Sequence, residues 1–370
     1  MLSTSCVTFF RSKKILHVIE ATATGTLSMA ALLANSQNKF GHDVVVIFSR
    51  RPETPVNLRA YFDSGVRLVQ VQMNSSFEKL ESLVHIRAVI KNNNPDLIFL
   101  HSSFSGFLGR ISSLFVQKAS RFFYIPHCVS FMRKDISSFK KKLFILFEWV
   151  GALKKADYVA CSRSEQEAIQ AAIPFRRCHM VENALDFSSV PLSPHFELSN
   201  RKKVVITVGQ IRTQKGPDMF AEIARSVRKI DPTVEFVWVG DGDPCSRRKL
   251  EESGVRIVGW VPKSDVWKYL GDACVYLSTA RWEGMPVSVI EAGFAGLPVV
   301  ASMCAGNVDV VEHGKTGWLF ETPDEATAHV LTALRNSELS QSVAKTAFDI
   351  AKERFSVERY YREMEALAQS

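Results

Sequence analysis

The 370-residue chain lacks any run of the 18 or so apolar residues that a bilayer-spanning helix needs, so it is expected to be soluble or peripheral. Its first ten residues carry no basic stretch, and the apolar segment there is too short for a secretory signal. Seven cysteines (Cys6, Cys128, Cys161, Cys178, Cys245, Cys274 and Cys304) stand singly, with no pair at metal-ligand spacing. They are expected to be reduced, buried thiols of a cytosolic protein. No internal repeat of roughly 20–50 residues is present, and no low-complexity tract, which excludes solenoids and disordered arrays. Aromatic residues do not alternate with Lys and Arg, and no nucleic-acid motif occurs, so nucleic acid is not expected as a partner.

What remains is an ordinary globular composition, 46% hydrophobic and 23% charged, in a chain long enough for two domains. The formal net charge of +8 predicts a basic face suited to anionic lipid or to phosphate-bearing substrates. Short apolar, β-branched runs recur at 15–19, 44–48, 66–71, 97–100, 122–125 and 158–161, then at 204–208, 234–239, 256–258, 274–277 and 298–301. Helical stretches separate them. Continuously apolar strands alternating with helices predict an α/β chain with parallel sheets covered on both faces, binding ligands at the carboxyl ends of the strands. The Ser- and Pro-rich stretch 186–203 reads as an interdomain linker. The expected divisions are one Rossmann-like doubly wound domain over 1–190, a second over 191–352, and a helix over 353–370.

The strongest chemical signal is Ala280-Arg-Trp-Glu-Gly-Met-Pro-Val-Ser-Val-Ile-Glu-Ala-Gly293. Glu283 ends a loop after a strand, Gly284 permits close backbone approach, and Pro286 suits the first turn of a helix. Glu291 falls just over one turn inside it. Free N–H groups near Met285, Val287 and Ser288, Pro286 itself having none, would offer an anion site at the helix start, while a carboxylate on the helix could accept from ribose hydroxyls. The competing reading is two solvated carboxylates. A second signal, Val208-Gly-Gln-Ile-Arg-Thr-Gln-Lys-Gly-Pro-Asp218, follows the first strand of the second half. Gly209 lets the chain turn, and Arg212 and Lys215 could reach a diphosphate. Taken alone it is equally a solvated basic turn.

These motifs resemble the retaining glycosyltransferases of family 4, which have the GT-B fold of two Rossmann-like doubly wound domains facing each other across a cleft. The resemblance rests on Glu283-x7-Glu291, on the turn around Gly209 and Lys215, on Gly296-Leu-Pro-Val-Val-Ala-Ser302, and on the run from Gly306 to Leu319. In the first half, Gly41-His-Asp-Val-Val-Val and Val181-Glu-Asn-Ala-Leu-Asp186 look like family elements. It implies that Glu291 holds the ribose, Glu283 contacts the donor hexose, Lys215 neutralises the diphosphate, and His127 stands beside the transferred sugar. Gly25 would lie in a loop near the diphosphate. The resemblance implies too that 1–190 is the acceptor side, that 191–352 binds the nucleotide sugar, and that the helix over 353–370 crosses back to the first domain. Gln210 stands where the family usually has Arg, a charge that Arg212 would replace; Thr24 replaces a Gly, and Ala184 another.

The resemblance also implies the activity: transfer of a hexose or N-acetylhexosamine from a nucleotide sugar, expected to be a UDP-sugar. The acceptor is expected to be a glycan or a polyprenyl-diphosphate-linked sugar in surface polysaccharide assembly. No cofactor is expected, the nucleotide sugar being a substrate. Two alternatives stand beside it: a metal-dependent GT-A transferase using Asp241 and Asp243, against which a plain turn is preferred, and a degenerate nucleotide-sugar-binding scaffold. His101, at a strand end, is a candidate acceptor-side residue or merely a loop-shaping one. The segment 139–155, apolar between two lysine clusters, is expected to be a helix packed on the first sheet. A peripheral contact with the anionic inner face of the cytoplasmic membrane is compatible with its other faces.

Overall fold

The computed structural model describes residues 12–116, 120–190, 196 and 201–370. Cys6, the amino-terminal stretch read against a secretory signal, and half of the linker stretch 186–203 lie outside the described residues. Two parallel sheets organise the chain. The first comprises β1 (Lys14–Ile19), β2 (Asp43–Phe48), β3 (Arg67–Gln70), β4 (Leu97–His101), β5 (Arg121–Ile125), β6 (Asp157–Ala160) and β7 (Cys178–Met180). Its order is β3-β2-β1-β4-β5-β6-β7. The helices accompanying it are α1 (Thr24–Lys39), α2 (Ser76–Asn93), α3 (Ser103–Ser112), α4 (Ser138–Gly151) and α5 (Arg163–Ala172).

The second sheet comprises β8 (Val204–Val208), β9 (Glu235–Val239), β10 (Val255–Gly259), β11 (Val275–Ser278), β12 (Val299–Ser302) and β13 (Trp318–Phe320), in the order β10-β9-β8-β11-β12-β13. Its helices are α6 (Pro217–Ile230), α7 (Pro244–Glu252), α8 (Lys263–Asp272), α9 (Val287–Phe294), α10 (Asn307–Val310), α11 (Pro323–Arg335), α12 (Ser337–Arg354) and α13 (Val357–Gln369). By their internal contacts the residues form two compact units, Met1–Ile125 with Gly151–Asp157, and Pro126–Val150 with Tyr158–Ser370.

The apolar runs become strands for the expected reason. β2 and β8 carry no polar side chain that needs water except at their ends, so both faces are covered by helices. The covering helices are amphipathic. α6 buries Phe220, Ala221, Ile223, Ala224 and Val227 along one face, and it starts at Pro217, where the missing N–H costs nothing. α2 begins with a capping box in which Ser75 and Glu78 satisfy each other's backbone amides. In the second sheet the strand order reverses between β8 and β11, which pair directly. Loops leaving the carboxyl ends of two such strands diverge and leave a crevice, the usual ligand position in doubly wound folds.

Several expectations are corrected. Strands β7 and β13 were not anticipated, because Cys178-His-Met and Trp318-Leu-Phe are three-residue runs too short to show a period. Cys245 is exposed rather than buried, lying on the polar first turn of α7. Residues 139–151 of the 139–155 segment lie in α4 and Ala152 just beyond is core, but much of the helix's apolar surface is not. Phe139 is 75% exposed and Leu146 55%, so the expectation of a packed helix fails for that face.

Candidate functional site

The loops after β8 and β11 bring together the residues that the sequence singled out from the second half. The chain leaves β8 through Gly209 and makes a short 3-10 turn over Thr213–Lys215, closed by Gly216 in the left-handed region at φ +61°. A β-carbon at Gly216 would stand 2.1 Å from the Thr279 carbonyl oxygen, so no other residue fits there. Thr279 then ties the two loops together, its Oγ1 donating to the carbonyls of Lys215 (2.8 Å) and Gly216 (3.0 Å). From this turn Lys215 extends its ammonium to within 2.9 Å of Glu283 Oε1. Burial pulls the Lys215 ammonium down, and Glu283 beside it more than compensates, so its pKa ends above the ordinary lysine value. Gln214, one residue earlier, donates from Nε2 to the other Glu283 oxygen (3.1 Å) and to the Trp282 carbonyl (3.0 Å). Glu283 is therefore aimed, not merely placed.

Glu291 sits on the fifth residue of α9, 7% exposed, with Lys263 of α8 at 3.6 Å. Burial raises its carboxyl pKa, and the charges of Lys263 and Lys215 oppose that rise. The lysine near one carboxylate thus acts electrostatically on the second. Arg212 is exposed, and its charge also reaches Lys215. Between the carboxylates, Met285 is buried and its carbonyl accepts from Asn183 Nδ2 at 2.8 Å, while Val287 and Ser288 open the helix with partial exposure. Pro286 is the N-cap of α9, in extended backbone one residue before the helix rather than in its first turn. Gly306 approaches from the turn before α10, where a β-carbon would lie 2.5 Å from Glu283 Cβ.

His127 joins this group in the same compact unit. It and Cys128 adopt left-handed backbone, φ +54° and +94°, unusual for residues with side chains. Glu165, fully buried on α5, holds this turn: its Oε1 accepts from the amides of Cys128 (2.7 Å) and Val129 (2.8 Å), and its Oε2 from Cys161 (2.9 Å). Gly284 packs against the turn so closely that a β-carbon would meet the Cys128 nitrogen at 2.8 Å. Glycine at 284 is therefore the contact between the His127 turn and the loop carrying Glu283. Burial lowers the His127 imidazole to about 4, so it is neutral at physiological pH.

Two candidate residues from the first half belong to the other compact unit. Gly25 is the second residue of α1, just beyond β1. His101 is fully buried, its Nε2 2.9 Å from His17 Nδ1, and His17 Nε2 in turn lies 2.7 Å from Gln37 Oε1. A histidine committed to a core hydrogen-bond chain does not meet an acceptor, which corrects the acceptor-side reading of His101 in favour of the loop-shaping one. Asp241 and Asp243 are also occupied, the first by Arg247 at 2.5 Å and the second as N-cap of α7, accepting from Ser246 N at 2.8 Å. This is the turn preferred over a metal reading. Among the described residues, no group of three or more His, Cys, Asp or Glu is arranged to hold a metal ion.

Sequence reasoning missed Gln214, Glu165 and Lys263. Gln214 carried a usable signal, because it precedes Lys215 in the turn already singled out. Glu165 and Lys263 carried none, being distant in sequence from the carboxylates and the turn they support.

Residues 24–189 match the family described as Glycosyltransferase Family 4, and residues 202–336 that described as Glycosyl transferases group 1. The chain belongs to these glycosyltransferases. An uncharacterized 41.2 kDa protein in the cps region of Klebsiella pneumoniae is 28% identical over 320 residues, 84% of this chain and 86% of that protein. The UDP-Gal:alpha-D-GlcNAc-diphosphoundecaprenol alpha-1,3-galactosyltransferase of Escherichia coli is 26% identical, covering 72% of this chain and 74% of that one. Among solved structures, Anabaena Alr3699/HepE in complex with UDP and glucose superposes with a TM-score of 0.79 at 18% identity, covering 97% of this chain and 100% of that one. At that identity the likeness speaks for the fold alone, and it is the GT-B type of two parallel-sheet, Rossmann-like domains. Other relatives are an amylovoran biosynthesis glycosyltransferase of Erwinia amylovora, 29% identical over 36% of this chain and 36% of that one, and a putative colanic acid biosynthesis glycosyltransferase of Escherichia coli (strain K12), 28% identical over 45% of each. Among the described residues, no helix is long and apolar enough to cross a membrane.

Proposed function

We propose that this glycosyltransferase moves a hexose or N-acetylhexosamine, with retention of anomeric configuration, from a UDP-sugar to a glycan or polyprenyl-diphosphate-linked sugar during surface polysaccharide assembly. The observation that carries the reading is the meeting of Lys215 and Glu283 at 2.9 Å beside the helix that bears Glu291. A cation, an aimed carboxylate and a second carboxylate over a helix start match the three parts of a nucleotide sugar: diphosphate, hexose and ribose. Glu291 accepts from the ribose hydroxyls, Lys215 and Arg212 neutralise the diphosphate, and the partly exposed helix start at Val287 adds its dipole. Glu283, oriented by Gln214, accepts from hexose hydroxyls. The choice of UDP and of a lipid-linked acceptor is supported by the Escherichia coli relative, named for both, and by the Anabaena protein that holds UDP and glucose.

Glu283 is occupied by Lys215 and Gln214 and is assigned to binding, and Glu291 to the ribose, so neither of these carboxylates serves as a nucleophile. The reaction then proceeds on one face of the sugar. The acceptor oxygen bonds to C1 as the C1–O bond to UDP breaks, UDP keeps that electron pair, and the acceptor hydroxyl proton passes to the departing phosphate oxygen. Growing charge on the phosphate meets Lys215, already held in place, so little reorganisation accompanies transfer. His127, neutral at working pH, donates to or accepts from a sugar hydroxyl without carrying charge. No metal is required. The test is a thermal-shift screen of nucleotide sugars followed by transfer to a synthetic polyprenyl-diphosphate-GlcNAc with and without a chelator. A UDP-sugar should raise the melting temperature and give an α-linked product unaffected by chelation. Stabilisation by GDP-sugars alone, an inverted product, or loss of transfer with chelator would each overturn the corresponding part.

A further inference from the structure

His127 and Glu283, the two groups assigned to the transferred sugar, sit on loops far apart in the chain. Glu165 of α5 holds the His127 turn, while Lys215 and Gln214 aim Glu283 and Gly306 packs against it. Gly284 touches the turn, but a packing contact limits approach without resisting separation. One side chain grips both sides. Asp309 of α10 accepts from the Ser164 amide at Oδ1 (3.1 Å) and from the Gly306 amide at Oδ2 (3.0 Å). Ser164 is the second residue of α5 and Glu165 the third, so the first bond holds the helix that supports the turn. The Glu283 amide donates to the carbonyl of Ala305, beside Gly306, at 2.9 Å, so the second bond holds the segment packed on Glu283. All these residues belong to one compact unit.

A carboxylate suits this bridge. The first amides of a helix have no partner within it, and the positive end of the dipole favours an anion. Ser162 caps α5 by accepting from the Glu165 amide, which leaves the Ser164 amide to Asp309. A carboxylate accepts at both oxygens, whereas an amide side chain would set its NH2 against one of the two donors. The backbone of Asp309 is itself anchored, its carbonyl accepting from Arg354 Nη2 at 2.7 Å. We propose that Asp309 is a positioning residue that sets the separation of His127 and Glu283 about the sugar being transferred. Its link to catalysis rests on the donor reading, whereas its hold on the His127 turn is measurable without any donor.

The experiment compares the unaltered chain with Asp309→Asn in two assays. In steady-state transfer, kcat should fall about tenfold or more while donor KM and UDP affinity stay within about twofold, because Lys215 and Glu291 keep their contacts. Alkylation of Cys128 by iodoacetamide, located by mass spectrometry, should run about fivefold faster or more, because that thiol lies in the turn Asp309 steadies through α5. Asp309→Ala removes both bonds without opposing two donors, and it keeps the test sound if Asp309→Asn does not fold. Combined with Glu165→Gln, the Asp309 change should lower kcat by less than the product of the two single losses, since both act through one turn. An unchanged kcat, unchanged Cys128 labelling or fully multiplicative losses would each overturn the assignment. So would a KM that rises as far as kcat falls. If the unaltered chain neither binds UDP nor transfers sugar, the donor reading fails instead, and Cys128 labelling still decides whether Asp309 holds the turn.

Discussion

Replacing Lys215 with methionine should destabilise the unit that carries the second sheet by about 3 kcal/mol. The estimate follows from what Glu283 keeps. Its Oε2 still accepts from Gln214, but Oε1 loses the ammonium 2.9 Å away while the side chain remains only 10% exposed. Removing one partner of a buried ion pair strands the other charge, at a typical cost of about 3–5 kcal/mol. The pair retains 18% and 10% exposure, so some water reaches it and the low end applies. The double variant Lys215→Met/Glu283→Gln leaves no stranded charge and should lose only about 1 kcal/mol, a coupling of roughly 2 kcal/mol or more. Urea unfolding followed by tryptophan fluorescence isolates the effect. All six tryptophans (Trp149, Trp238, Trp260, Trp267, Trp282 and Trp318) belong to the unit that holds the pair. A Lys215→Met variant within about 0.5 kcal/mol of the unaltered chain would refute the reasoning, since that is the usual range for a surface substitution. A double variant as unstable as the sum of the two single ones would refute it equally.

Gly306→Ala should cost about 2–4 kcal/mol, from φ +87° and from a β-carbon 2.5 Å from Glu283 Cβ, and it should impair transfer more than nucleotide binding because it displaces Glu283 alone. Urea titration and kinetics with saturating donor check both halves; normal turnover would detach Gly306 from the site. Glu165→Gln should loosen the His127 turn, lowering kcat by about tenfold or more while the donor KM changes little, and an unchanged kcat would show the turn holds itself. Acid should weaken the fold through His17. Burial, partly opposed by the Gln37 hydrogen bond, lowers its imidazole to about 4, so the unfolded chain binds more protons as pH falls below about 6.5. The stability present above that pH is then lost towards pH 4, by about 3 kcal/mol when complete. Denaturant melts at stepped pH should show this slope, reduced in His17→Asn.

Most of the fold was legible because both sheets are parallel and buried on both faces, so strands appear as apolar runs whatever their neighbours. β8 falls on the residues anticipated for it, and most other strands shift by about one residue at an end. The strands that escaped, β7 and β13, are only three residues long, too short for a run to stand out, and β7 is interrupted by His179. The site was legible where one loop carries several of its parts, as Gly284 to Glu291 does, and where a turn needs glycine, as at Gly209 and Gly216. It was opaque where function depends on a residue brought from a different element. Lys263 opens α8 as an ordinary surface lysine, and only the packing of α8 beside α9 gives it Glu291. His101 failed in the opposite way: a polar residue at a strand end looks like a site residue, yet His17 on the adjacent strand had already claimed it. α4 misled through its composition, since apolar content states that a face seeks cover without stating whether protein or lipid supplies it.

The central claim is that Glu291 and Lys215 hold opposite ends of one nucleotide diphosphate. Calorimetric titration of UDP tests it most directly, with the unaltered chain, Glu291→Ala and Lys215→Ala side by side. Each variant should weaken binding by about tenfold or more, the loss expected for a hydrogen bond to a charged group. For Lys215→Ala the remaining affinity should also lose part of its salt dependence. UDP binding equally tightly to all three proteins would contradict the account.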